Sequence, residues 1–244
     1  MTSFLPRTSP SDSSHRADQQ PALSAEQIRA EAARFAVLCR VAPMLRHDMA
    51  GALQPLGMVA MVLQRRVQAP ELDLQAIAKN AVSIGSLTKE ATAGCMEAMG
   101  WLAPRGDPAV SLHSGVADVL QVLQVELSGS GLEAVNDLAE DQVTAPQSFF
   151  RTVLAAALLA FCDQGGGAGR LQIGLDDSQP GGGRTEPALR LAVASSGTPM
   201  TPTRRPRPVI WPDVQALAAS WGVAMTTGDG WLTVALPKPS KASG

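Results

Sequence analysis

The 244-residue chain has no tyrosine and only four tryptophans and five phenylalanines, so large aromatic side chains are scarce. A core with so few rings must be filled by small and aliphatic residues, which suits helices packed at short distances. Charge is also nearly balanced, with a formal net charge of −2 at pH 7. Nucleic-acid-binding proteins usually carry a clustered basic face, so we expect no nucleic-acid partner.

Long apolar runs and paired cysteines are missing as well. No stretch reaches the roughly 18 apolar residues of a membrane span, and the first residues lack the apolar segment of a signal peptide. We therefore expect a cytoplasmic protein with no membrane partner. Cys39, Cys95 and Cys162 are widely separated and odd in number, which favours buried free thiols over metal or redox roles.

Composition divides the chain into four segments. Residues 1–22 are rich in Ser, Pro, Gln, Asp and Arg and predict a disordered tail, and residues 239–244 predict a second tail. Residues 23–104 carry a helical heptad pattern. Residues 105–238 alternate helix and strand patterns, which predicts an α/β sandwich with helices on one face of a mixed sheet. The predicted fold class is α+β.

Residues 23–104 predict two long antiparallel helices. Ser24 and Gln27 form a capping-box pattern at the start, and the first helix runs to about Gln68 through Pro43 and Pro55, each of which should bend it. A hairpin cannot cover its own apolar stripe, so we predict a homodimer that builds a four-helix bundle. The predicted seam of the first helix consists of Phe35, Ala42, Met49, Leu56 and Leu63 at one heptad position and Leu38, Leu45, Ala52 and Val59 at the other.

The pair His47-Asp48 is the most informative motif in this helix. His47 falls at heptad position f and should point away from the seam. An exposed imidazole is nucleophilic near neutral pH and leaves room for a second protein to approach. The alternatives are an ordinary solvated histidine and an Asp48 that only forms a surface ion pair, for instance with Arg46 of the other subunit.

Gly51 follows one turn after His47 on the same side of the helix. Glycine in a helix interior costs about 1 kcal/mol relative to alanine, so its presence requires a reason. We assign Gly51 to the partner-binding surface; the alternative is that it merely relieves strain before Pro55.

Further residues on this side predict a partner-binding surface. Gln54, Met58 and Met61 follow at exposed positions, and methionines that face water are unusual. They could receive a partner helix in an apolar groove, unless the second domain covers them. Arg65 could steer an acidic partner, although it could equally be part of a solvated helix end.

The two parts together resemble a bacterial histidine kinase core, in which a dimerisation and histidine-phosphotransfer hairpin precedes an ATPase-like domain. The resemblance covers about residues 28–238. It depends on His47-Asp48 with Leu53 six residues after the histidine, on the order of elements in the later domain, and on the final strand from Trp231. It implies that His47 accepts a phosphoryl group and that Asp48 orients the ring as a base. Because the family often has Thr or Asn at the position of Gly51, it also implies weak dephosphorylation.

The nucleotide-binding residues of that family are not matched. Residues 153–161 are apolar where the family carries an Asn that holds Mg²⁺, and Ser195 replaces the Asp that contacts adenine. Gly197 remains, but Pro199 replaces the next glycine and a proline-rich loop replaces the glycine-rich lid. Ser195 and Gly197 are therefore interpreted as vestigial. We expect no cofactor or metal on this chain, with Mg²⁺ supplied by the partner.

This combination is similar to dimeric histidine phosphotransferases, which relay phosphate between response-regulator receiver domains. The resemblance therefore implies that His47 passes a phosphoryl group between receiver aspartates. A divergent but active autokinase and a non-catalytic dimeric scaffold that binds a response regulator are the alternatives.

Overall fold

The computed structural model describes residues 23–102, 106–140, 143–164, 167–176, 187–196 and 207–237. Both predicted tails, Gly197 and most of the proline-rich loop lie outside the described residues.

The predicted helical hairpin is confirmed. Helix α1 (Ala25–Val67) begins with the capping box, in which Gln27 N–H donates to Ser24 Oγ at 3.1 Å and Ser24 N–H donates to Gln27 Oε1 at 2.8 Å. The helix continues through both prolines. Asp73 Oδ1 accepts the Ala76 N–H at 2.9 Å, just ahead of α2 (Leu74–Leu102).

The second part of the chain forms a mixed five-stranded sheet with helices packed against it. Its order is β2-β4-β5-β7-β6, in which only the β2-β4 pair is parallel. This confirms the α+β class. The elements are β1 (Ala109–Ser111), α3 (Leu112–Gly129), β2 (Leu132–Asn136), β3 (Thr144–Pro146), α4 (Gln147–Phe149), a π-helical turn (Phe150–Leu154), α5 (Ala155–Gln164), β4 (Gly169–Leu175), β5 (Ala188–Ser195), α6 (Trp211–Ser220), β6 (Met225–Gly228) and β7 (Trp231–Ala235).

Two local features were not predicted. Strands β1 and β3 form a separate antiparallel pair, with Val110 opposite Ala145. The apolar helical segment 148–161 contains the π-helical turn, although no proline or glycine marks that segment.

The core lies between the sheet and the helices. Apolar residues alternate along β4, β5 and β7, and their inward side chains are fully buried. Residues 155–162 of α5 are apolar on all sides, because this part of the helix packs against α1, α3 and α6 as well as within the domain core.

Half of the predicted heptad seam in the N-terminal half of α1 is exposed in the single chain. Phe35 is 61% exposed and Ala42 is exposed, whereas Leu38 is half-buried and Leu45 is buried; helices α3, α5 and α6 of the second domain pack against a different face of α1. In the C-terminal half, the predicted seam residues after Leu45 are half-buried in the single chain. The residues buried in the N-terminal half are Ala30, Ala33, Ala36, Val37, Val41 and Leu45.

The three cysteines are free, as predicted, but not uniformly buried. Cys95 and Cys162 are half-buried, whereas Cys39 is exposed. The prediction of a buried thiol is therefore wrong for Cys39, which lies on an exposed part of the α1 surface.

No described helix is both long enough and apolar enough to cross a membrane. Within the same ranges, no three His, Cys, Asp or Glu side chains are grouped so as to hold a metal ion.

Candidate functional site

His47 and Asp48 lie on the outer surface of α1, midway along the helix. The His47 side chain is 85% exposed, and its Nδ1 lies 3.3 Å from Asp48 Oδ1. When Nδ1 carries the ring proton, it donates to this carboxylate and leaves the Nε2 lone pair unprotonated. The arrangement can therefore present a nucleophilic nitrogen to a molecule that approaches from solvent.

The other predicted partner-binding residues share this accessibility. Gln54 and Arg65 are exposed, and Met58 and Met61 are each 55% exposed. The second domain therefore does not cover the methionines, and that alternative is wrong. At Gly51 no heavy atom lies within 4 Å of the position that a Cβ would occupy, so the surface beside His47 is open.

An ion-pair cluster holds the second domain to α1 seven residues before His47. Arg40 donates from Nε and Nη2 to the Glu126 carboxylate at 3.2 and 2.9 Å, and from Nη1 to Asp163 Oδ2 at 2.9 Å. Asp163 is only 2% exposed and also accepts the Val209 N–H at 2.8 Å. Seven residues make about two helical turns. The second domain therefore docks on the same side of α1 as His47, about 10 Å closer to the N-terminus of the helix.

The electrostatics of this cluster favour the charged state of Arg40. Burial opposes that charge, but hydrogen bonds to Glu126 and Asp163 more than offset it and raise the pKa of Arg40. The sequence offers no local signal for the cluster, since the partners lie 86 and 123 residues away and an arginine at position f resembles a solvated residue.

In the helix where the resemblance expects a residue that holds Mg²⁺, residues 153–161 lie within the domain core and provide no side-chain oxygen. Ser195 ends β5 beside a cavity of about 310 Å³ whose walls include Phe161 and Trp211 as well as the polar residues Gln164 and Asp229. A Mg²⁺ ion prefers carboxylate, carbonyl and water oxygens, which the side chains of residues 153–161 do not supply, and we derive no chemical step through a bound nucleotide.

Comparisons with known proteins gave matches only at the level of structure. No protein-family model and no curated protein matches the sequence. Among solved structures, the chain is similar to the Acinetobacter baumannii histidine kinase AdeS, with 13% identity, a TM-score of 0.40, and coverage of 75% of this chain and 96% of that one.

Two further structures have comparable scores. Histidine kinase ThkA in complex with response regulator protein TrrA matches at 11% identity and a TM-score of 0.37, covering 91% of this chain and 69% of that one. Mycobacterial sensor histidine kinase MprB matches at 16% identity and a TM-score of 0.37, covering 54% and 97%. At these scores the similarity is distant, so the functional proposal must depend on the residues of the chain itself.

Proposed function

We propose that this protein is a histidine phosphotransferase of a two-component phosphorelay. The observation that carries the proposal is the 85% exposed His47 imidazole with its Nδ1 3.3 Å from Asp48. The resemblance to histidine kinase cores supports the same role, while the unmatched nucleotide-binding residues favour transfer without autokinase activity. The working location would be the cytoplasm, together with response-regulator receiver domains.

In this proposal His47 Nε2 attacks the phosphorus of a receiver aspartyl phosphate. A P–N bond forms, the P–O bond to the receiver carboxylate breaks, and the carboxylate leaves with its electron pair. Asp48 stabilises the positive charge that develops on the ring through the Nδ1–H hydrogen bond. Transfer to a second receiver reverses these steps, and each receiver supplies Mg²⁺ and the groups that position the phosphoryl group.

The surface next to His47 would receive the partner. Met58 and Met61 offer exposed, adaptable apolar contacts, Gln54 offers hydrogen bonds, and Arg65 offers a positive charge for an acidic receiver. A second copy of the chain would cover the remaining exposed apolar residues of the hairpin and complete a four-helix bundle. These residues include Leu53, Val62, Leu74, Val82, Met96 and Met99.

The test is a phosphotransfer assay with purified protein. Incubation with a phosphorylated receiver domain should label wild type with acid-labile phosphate, whereas His47→Ala should take up none. The double variant Met58→Glu/Met61→Glu should slow transfer at least tenfold because charges disrupt the apolar landing surface. Arg29→Gln, on an exposed part of the same helix, should transfer at the wild-type rate.

Incubation with radiolabelled ATP separates the alternatives. Labelling from ATP that disappears in His47→Ala would identify an autokinase and contradict the proposal. Receiver binding without any label on His47 would identify a scaffold and contradict it as well.

A further inference from the structure

A second cavity lies at the junction between the hairpin and the second domain, away from His47. Its volume is about 310 Å³, at the small end of the range for ligand-binding pockets. The walls come from α1, the end of α2, the segment before β1, α4, the π-helical turn and the residue after α6. Its apolar wall is formed by Val37, Leu38, Trp101, Leu102 and Trp221.

Two buried donors in the cavity wall have no acceptor among the residues that the structure describes. Trp101 is only 4% exposed, and its indole N–H has no hydrogen-bond partner there. The Nε–H of Arg151 is buried and has no partner among the same residues. Such groups are rare because each loses its hydrogen bonds to water without replacement, so both are available to an acceptor from a ligand.

The charge of Arg151 is also uncompensated at short range. Its guanidinium stacks on the Trp101 ring at 5.3 Å, and no carboxylate among the described residues forms an ion pair with it. Burial lowers the pKa of Arg151, and the more distant Asp118, Glu97 and Asp107 only partly oppose this. A half-buried guanidinium without an ion pair favours an anion as its neighbour.

Several other polar side chains of the cavity already have partners. Asp107 accepts the Ser148 N–H at 2.8 Å and the Ser148 hydroxyl, and Thr152 accepts the Trp221 indole N–H at 3.3 Å. Arg34 bonds to Glu31 and, at 3.0 Å, to Ser220, but a guanidinium has five donors and retains some for a ligand. The Gln147 amide also faces the cavity, but the cationic donors belong to the two arginines.

The π-helical turn creates this arrangement. It places Arg151 and Thr152 at the cavity, and such turns occur frequently at functional sites. Gly100 makes room for the guanidinium, since a Cβ there would lie 2.6 Å from Arg151 Nη1.

We propose that this cavity binds a small organic anion, with a carboxylate or phosphate at Arg151 and Trp101 and an apolar body against the surrounding hydrocarbon. The inference does not depend on the phosphotransfer proposal. Because the walls belong to both the hairpin and the second domain, bound ligand should stabilise the docked arrangement and raise the melting temperature.

The experiment compares octanoate, octanol and octylammonium, which share one apolar chain and differ in charge. Two-dimensional NMR of the full chain resolves the indole N–H groups of its four tryptophans, which single Trp→Phe variants assign. Octanoate should shift the Trp101 and Trp221 signals and leave Trp231 unchanged. Octanol should bind about tenfold more weakly or worse, and octylammonium should not bind.

Arginine variants then locate the anion. Arg151→Gln should weaken octanoate binding about tenfold or more through loss of a charge-assisted hydrogen bond, and Arg34→Gln should weaken it to a smaller extent. Arg29→Gln removes the same charge from an exposed position and should bind normally. If Arg151→Gln does not fold, the test depends on octanoate binding by Arg34→Gln and on the relative affinities of the wild type for octanoate, octanol and octylammonium. Equal affinity for octanoate and octanol, unchanged binding in folded Arg151→Gln, or no shift of the Trp101 signal would overturn the proposal.

Discussion

At the scale of single residues, two thiols of this chain differ in burial and should therefore differ in reactivity. Burial raises the pKa of Cys162 to about 11, and the nearby Glu126 and Asp163 charges act in the same direction. Its thiol donates weakly to the Glu126 carbonyl at 3.8 Å. Cys39 lies exposed on α1. The thiolate is the reactive form of cysteine, so the two should differ strongly in reactivity.

We predict that iodoacetamide at pH 8 modifies Cys39 rapidly and Cys162 at least a hundredfold more slowly. A thiol with a pKa of about 11 is roughly a hundredfold less ionised at that pH than one at its ordinary value of 9, and limited access slows it further. Mass spectrometry of digested samples gives both rates. Denatured protein is the control, in which both cysteines should react alike, and similar rates in the folded protein would contradict the prediction.

The same pKa shift has a defined sign for stability. Between pH 9 and 11 the folded state retains the Cys162 proton that the unfolded state has lost, so this contribution to stability is present below pH 9 and disappears as pH rises toward 11.

At the scale of elements, α3 and the π-helical turn meet at a very close contact. A Cβ at Gly115 would lie 2.5 Å from Phe150 Cδ2 and Cε2, and Phe150 is completely buried. The Phe150 ring also packs edge-on against Phe149 with centroids 5.7 Å apart. The ring therefore has little freedom to move, and glycine at this position is required by packing.

We predict that Gly115→Ala destabilises the protein although alanine is the better helix former. Overpacking typically costs about 1–3 kcal/mol, which exceeds the roughly 1 kcal/mol gained in helix propensity. Gly129→Ala in the same helix is the matched control, since no atom lies within 4 Å of its Cβ position. Urea unfolding should show a lower midpoint for Gly115→Ala and an unchanged or higher one for Gly129→Ala; a higher midpoint for both would contradict the proposed contact.

Elements with a strong repeating pattern could be predicted from the sequence, and elements defined by contacts could not. The hairpin follows from heptads and a capping box, and the final strand β7 begins at Trp231 as the sequence predicts. The strands β1 and β3 have three residues each, too few to show periodicity, and they pair although they lie far apart in the sequence. The π-helical turn has the composition of an ordinary apolar helix.

At the scale of the whole molecule, the sequence predicted two domains but not how they dock. Exposure of His47 followed from its heptad position, yet Arg40, seven residues earlier at the same heptad position, has a side chain only 12% exposed. Heptad analysis assumes one packed face along the whole helix. Helix α1 instead packs against α2 and also, through Arg34 and Arg40 in its N-terminal half, against the second domain, so its buried face changes along its length.

The Arg40 cluster should make a large contribution to this docking. We predict that Arg40→Ala lowers the free energy of unfolding by about 3 kcal/mol, because it removes the cation that bonds to both the Glu126 and Asp163 carboxylates, whose side chains are 14% and 2% exposed. The stability of Arg40→Lys should lie between those of the wild type and Arg40→Ala, since lysine keeps the charge but loses the bidentate hydrogen bond to Glu126. Arg46→Ala is the control from an exposed position on the same helix and should change the free energy by less than about 0.5 kcal/mol. Equal effects of Arg40→Ala and Arg46→Ala in urea unfolding would show that apolar contacts alone hold the second domain on α1.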